Sequence, residues 1–329
     1  MQYTPQTTHL YIDRHAFLNL KLNLAQKHLN YTKNYSKSLL TAKSLNKPAK
    51  VIHMILMVSS NKDIASINIA NQILQQQSFQ KISENFQNNP IYTTNINQKT
   101  VTLIRLNEEP INAQNLPENF PDTKLIIFIS RHSSQSGTPT LTVHTPGNFA
   151  DADFGGLPRT VSISPATAMS DTLKMLTFFQ QQFELSTYEV SFEVTHHGPS
   201  LNVPTMFVEL GSSKSQWTDL KAAKAVACTV ISIIGTFESK PTRKAAIGIG
   251  GTHYNKKFTR MVLNGETIFG HMIPKYAVAN VDVSMLKHCV ERSLEQVSEV
   301  LLDWSGIKGE DKPNLIAALD ASGFIYRKI

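Results

Sequence analysis

Apolar residues recur along the chain with a period of two in some stretches and of three to four in others, and the changes of period mark the elements. Val51 to Val58 is an almost unbroken apolar run that reads as a buried strand closed by Ser59-Ser60. After Asn61-Lys62-Asp63 the spacing becomes helical through Ile64, Ile67, Ile69, Ile73 and Leu74, so order begins as β-loop-α. Residues 85–122 are polar and punctuated by Pro110, Pro117 and Pro121, which predicts loops and a variable insertion around one short strand, Thr100 to Leu106. Lys124 to Ile129 and Leu141 to His144 read as further strands. Ser164 reads as an N-cap with Pro165 at the first helical position, ahead of a helix burying Met169, Leu173, Leu176, Phe179 and Phe183.

In the centre, Tyr188, Val190, Phe192 and Val194 alternate with Glu189, Ser191, Glu193 and Thr195, a strand with one apolar and one polar face. It stops at Thr195-His196-His197-Gly198-Pro199-Ser200, and a second apolar run, Val203 to Leu210, carries Glu209 into Gly211-Ser212-Ser213. Ser213 and Gln216 have capping-box spacing before a helix through Trp217, Leu220, Ala223, Ala227, Val230 and Ile234. Lys244 to Ile249 is a strand running into Gly250-Gly251-Thr252-His253-Tyr254, and a long helix from about Asp282 to Trp304 and a short one near Leu315 to Leu319 complete the pattern. Strands alternating with helices predict an α/β fold with a mostly parallel central sheet and helices on both faces. No internal repeat interrupts it.

Charge divides the chain. The net charge is +7 over 329 residues, but residues 1–50 hold eight basic residues against Asp13, leaving 24 basic and 24 acidic residues afterwards. Residues 1–50 therefore read as a basic leader and 51–329 as one α/β domain. The leader is open to three readings: a poorly ordered extension, an organelle-targeting peptide, or an RNA-steering tail. No apolar run reaches the length of a membrane span, which implies a soluble protein. Cys228 and Cys289 fall in helical, apolar contexts, so a reducing, cytoplasmic setting is expected and a disulfide framework is not.

The chemistry concentrates in the histidines. Of eleven, five fall at predicted strand ends or just beyond them: His132, His144, His196, His197 and His253. On a parallel sheet such positions converge on one edge. With Glu209 they suit either a metal site with carboxylate support or a general acid/base pair, and spacing alone does not choose, since HExxH and HxxEH are absent. Gly248-Ile249-Gly250-Gly251 lacks the spacing of a dinucleotide fingerprint, and neither GxxxxGK nor GxSxG occurs.

Several co-linear segments carry a more specific signal. Asp63-Ile64-Ala65-Ser66-Ile67-Asn68, Ser130-Arg131-His132-Ser133, Thr142-Val143-His144-Thr145-Pro146-Gly147-Asn148, Thr195-His196-His197-Gly198-Pro199-Ser200, Glu209-Leu210-Gly211-Ser212 and Gly248-Ile249-Gly250-Gly251-Thr252-His253-Tyr254 together resemble the archaeal- and plant-type D-aminoacyl-tRNA deacylase family, over about residues 51–329. Thr252 departs from the glycine usual there. The resemblance implies hydrolysis of the ester joining a D-amino acid to tRNA, a zinc (Zn2+) requirement, and a fold related to peptidyl-tRNA hydrolases and nucleoside phosphorylases. Beside it, His196 or His197 is the candidate base, Glu209 its orienter or a carboxylate supporting a metal, with Thr195 adjacent, and His132, His144 and His253 are the candidate metal ligands or oxyanion contacts. Ser130, Arg131, Asn148, Gly250, Gly251, Tyr254, Lys256 and Lys257 are candidate substrate contacts, and Lys240, Arg243, Lys244 and Arg260 would join them on tRNA phosphates. The implied partner is tRNA charged with D-amino acids, met by a monomer.

Overall fold

The apolar run that opens the body becomes β1 (Met54–Ser60), whose Ile55 and Met57 enter one core and Leu56 and Val58 another, so both of its faces are covered. The structure, a computed structural model, describes residues 54–329; the expected leader and the first three residues of the expected strand lie outside the described residues. Asp63 then caps α1 (Ile64–Gln76), its Oδ1 accepting the Ser66 N–H at 3.0 Å.

Where loops and an insertion are expected before the short strand, the structure has β2 (Gln80–Phe86) and β3 (Asn89–Ile96), which form a meander with the expected strand itself, β4 (Lys99–Leu106). Its two-residue turns, Gln87-Asn88 and Asn97-Gln98, have positive φ at both positions, the hairpin geometry that asparagine tolerates and that joins polar strands tightly. Then follow β5 (Thr123–Arg131), β6 (Thr140–His144), α2 (Ala166–Gln182), β7 (Glu189–Phe192), β8 (Thr205–Gly211), α3 (Leu220–Thr236), β9 (Ala245–Ile249), α4 (Lys256–Leu263), β10 (Phe269–Ile273), α5 (Val283–Glu291), β11 (Val297–Leu302), α6 (Lys312–Ser322) and β12 (Tyr326–Lys328).

The chain is of the α/β class, with a large, mostly parallel sheet flanked by helices. The eight-stranded sheet runs β2-β3-β4-β1-β5-β8-β6-β7, and a second sheet, β10-β9-β11-β12, is parallel throughout. Helices α1, α2 and α3 pack on one face of the large sheet; the core on its other face includes Leu116 of a one-turn helix and Leu201. Strand β6 runs antiparallel to β8, with β7 parallel to β6. The histidines thus do not share one edge of a parallel sheet. They approach from opposite strand directions, since β6, which ends in His144, runs against β8 while β5, which leads to His132, runs with it.

Three further expectations change for identifiable reasons. The long helix from Asp282 to Trp304 is instead α5, a turn and β11, because the second sheet needs Val300, Leu301 and Leu302 as a buried strand. The turn also delivers buried Glu295, whose carboxylate accepts the Ala166 and Thr167 N–H groups at 2.8 Å each. Glu295 therefore caps α2 in place of Ser164, while Pro165 occupies the cap position. The capping-box pair at Ser213 and Gln216 starts only a single turn, Lys214–Trp217, and Asp219 caps α3 afresh. Replacing Glu295 by alanine is expected to cost about 1–3 kcal/mol, the penalty for orphaning buried donors, measured as a lower denaturation midpoint; an unchanged midpoint would reassign the cap.

Candidate active site

The strand that ends in the paired histidines is not half-solvated. Ser191, Glu193 and Thr195, expected on a polar face, are all buried, because the chain leaving β7 is bound to the second sheet: Val194 N–H donates to His253 O at 3.0 Å and Thr195 N–H to Met272 O at 2.9 Å. This crossing brings His253, on the loop after β9, to the histidines that follow β7.

Glu193 lies at the centre. It is fully buried, its Oε1 stands 3.0 Å from His132 Nδ1, and its Oε2 stands 2.9 Å from His253 Nε2 and 3.6 Å from His196 Nε2. Burial would keep this carboxyl protonated, but hydrogen bonds from His132 and His253 hold it well below the usual carboxylate range. His132 also faces Glu209 Oε2 at 3.4 Å and meets the Tyr254 hydroxyl with Nε2 at 2.7 Å. Burial alone would lower the His132 pKa, yet hydrogen bonds and charge from the two glutamates raise it to about 11. His132 thus sits between two carboxylates that favour its charged form. Glu209 behaves oppositely: burial and the charge of Glu193 push it up to about 7, against the pull of His132 and of the Ser130 hydroxyl donating at 2.6 Å.

A second group sits beside it. His196 Nδ1 donates to Val194 O at 2.8 Å and His197 Nδ1 to Gly198 O at 2.7 Å, which leaves both Nε2 lone pairs unprotonated. His144 is fully buried, its ring stacked on Phe207 at 5.2 Å, its Nε2 3.3 Å from His197 Nε2, and its Nδ1 without a partner. Burial first, then neighbouring histidine charge, holds His144 and His196 well below their usual value, although 21% of the His196 side chain still reaches the cavity and softens that burial. Burial lowers His197 to about 4. His197 also has φ +45°, a conformation rare for non-glycine residues and typical of functional positions. His196 and His197 line a cavity of about 750 Å³, together with His253, Thr195, Phe207 and Glu209, with His144 packed behind them.

The structure brings Ser130, Arg131, Asn148, Thr195, His196, His197, Glu209, His132 and His253 to the cavity wall, with His144 and Tyr254 packed against them. Thr195 Oγ1 is committed to Met272 N–H at 3.1 Å and Asn148 Nδ2 to Gly155 O at 2.8 Å. Arg131 donates to Lys62 O at 2.7 Å and to Glu109 at 3.0 Å. Gly250 and Gly251 are not on the wall; a Cβ on Gly250, at φ +110°, would meet Asp303 O at 2.7 Å. Lys256 pairs with Glu189 at 3.1 Å and Lys257 with Asp303 at 2.5 Å. Exposed Lys240, Arg243 and Lys244 precede β9, at the end opposite the His253 loop, and Arg260 is exposed on α4. Sequence reasoning passes over Glu193, whose one available signal is its position three residues before His196.

His271, outside the cavity wall, is lowered by burial to about 3; it faces Thr195 Oγ1 at 3.4 Å and Arg292 O at 3.0 Å. A depressed histidine favours the folded state fully above the unfolded value near 6.5, and the advantage is lost as pH falls from there toward 3. The denaturation midpoint should fall on acidification below pH 6.5, less steeply in His271→Gln. Equal slopes would remove His271 from the acid limb.

Fold and site together define an α/β protein with a histidine–carboxylate centre at the wall of an open cavity. The chain belongs to the D-aminoacyl-tRNA deacylase family, whose model matches residues 119–326. A D-aminoacyl-tRNA deacylase of Thermococcus kodakarensis is 32% identical over 279 residues, covering 83% of this chain and 99% of that protein. One of Methanocaldococcus jannaschii is 34% identical over 284 residues, with the same coverage. A crystal structure of a conserved protein of unknown function superposes with a TM-score of 0.74 at 29% identity, over 84% of this chain and 95% of its own.

Proposed function

We propose that this protein hydrolyses the ester bond of D-aminoacyl-tRNA, releasing the D-amino acid and free tRNA. The observation that carries the reading is the meeting of imidazoles with two glutamates of opposed protonation: Glu209 on the cavity wall with His196, His197 and His253, and Glu193 buried directly behind them. Groups whose environments push their proton affinities apart are the usual mark of acid and base roles.

The donor set suits zinc. His144, His196 and His197 each offer a nitrogen, the atoms lying within 4.8 Å of one another. The 3.3 Å between the His144 and His197 Nε2 atoms is close to the edge of about 3.3 Å that a tetrahedral zinc with its usual nitrogen distances requires. His196 and His197 each donate the other ring N–H to a backbone carbonyl, the support typical of ligating histidines. We assign zinc to these three rather than to the clamped His132. When bound there it supplies a Lewis acid toward the ester carbonyl.

His253, oriented by Glu193, takes a proton from the attacking water as the new carbon–oxygen bond forms. Glu209, about half protonated near pH 7, returns a proton to the departing ribose oxygen as the ester bond breaks. A monomer is its proposed state, and the cytoplasm, where charged tRNA is used, its proposed setting. The test is product analysis: D-aminoacyl-tRNA should yield free D-amino acid and tRNA that can be charged again, with N-blocked peptidyl-tRNA and free nucleosides spared. Release of a base from a nucleoside would overturn the reading.

A further inference from the structure

Seven large apolar side chains are exposed among the described residues, and the two aromatic ones, Phe154 at 70% and Tyr276 at 55%, both line the active-site cavity. Single exposed aromatics are ordinary on a surface; two meeting at one functional cavity are not. The backbone around each is anchored. Gly198, which follows His197, donates its N–H to Phe154 O at 2.9 Å, and Gly155, at φ +75°, presses against Ile111 O so closely that no Cβ would fit. Tyr276 sits in a turn closed by Ala277 N–H to Pro274 O and anchored by Lys275 N–H to Gly251 O, each 2.9 Å.

We propose that Phe154 and Tyr276 form the seat for the base of the nucleoside that carries the ester, the unpaired adenine at the 3′ end of tRNA. The inference rests on the hydrolytic reading above. The Phe154 peptide is tied to the residue after His197, and both aromatics line the cavity that His196, His197 and His253 also line. Rigid aromatic faces are what unpaired bases stack on, and stacking tolerates solvent on its open side.

The test joins binding to kinetics. A CCA trinucleotide, titrated into the full-length protein, should bind saturably and weaken about ten- to a hundredfold in Phe154→Ala and Tyr276→Ala, with Tyr276→Phe close to the unaltered protein. On D-aminoacyl-tRNA the same alanine variants should lose activity through KM rather than kcat. No trinucleotide binding, or binding indifferent to both alanines, overturns the seat, as does a loss confined to kcat. Trinucleotide binding that depends on Phe154 in a protein that spares D-aminoacyl-tRNA would uphold the seat and sink the hydrolytic reading instead.

Discussion

Glu193→Ala is expected to destabilise the protein by about 3–5 kcal/mol, the cost of leaving a buried charge without its partner. The charge is His132, 7% accessible and held as an imidazolium by Glu193 at 3.0 Å and Glu209 at 3.4 Å. Glu209 alone would have to ionise fully to compensate, across the longer contact. Glu193→Gln keeps the shape and removes the charge, so it should be milder in stability but still lower turnover by about a hundredfold or more, since His253 loses the carboxylate that orients it. Chemical denaturation and single-turnover rates separate the two effects. A loss below about 1 kcal/mol in the alanine variant would mean that His132 is neutral and the clamp is misread.

The second large effect belongs to the neutral imidazoles. His197→Asn is the informative change, because asparagine accepts the left-handed backbone at φ +45° where alanine would add strain. It should deplete zinc and reduce deacylation at least about a hundredfold with little change in folding. His144→Phe should do the same while keeping the stacked packing on Phe207 and removing the unpartnered Nδ1, so its stability should hold or rise. Full zinc content with near-normal turnover in both variants would take the metal away from this group.

Much of this molecule can be read from local pattern, and the rest fails where tertiary structure decides. The β1–α1 opening is legible because Ile55, Met57, Ile69 and Ile73 serve the same core at their own periods. The histidine loops are legible because each follows a strand. Glu193 is not: its alternation with Phe192 and Val194 is that of a solvated face, and only the second sheet buries it. That sheet is itself hidden, since Leu286, Val290, Leu294, Val297 and Leu301 keep helical spacing across a turn and a strand. Nor does a strand end reveal its direction, so the approach of His144 from antiparallel β6 required the register with β8. The aromatic pair at the cavity mouth lies in loops with no period at all.

The most direct test of the central claim is the release of amino acid from matched D- and L-aminoacyl-tRNA, prepared on the same tRNA and followed under single-turnover conditions. The account predicts rapid release of the D-amino acid, sparing of the L-form, and loss of the D-reaction on chelation with the fold intact. Equal release of both, or of neither by the zinc-loaded protein, would contradict it.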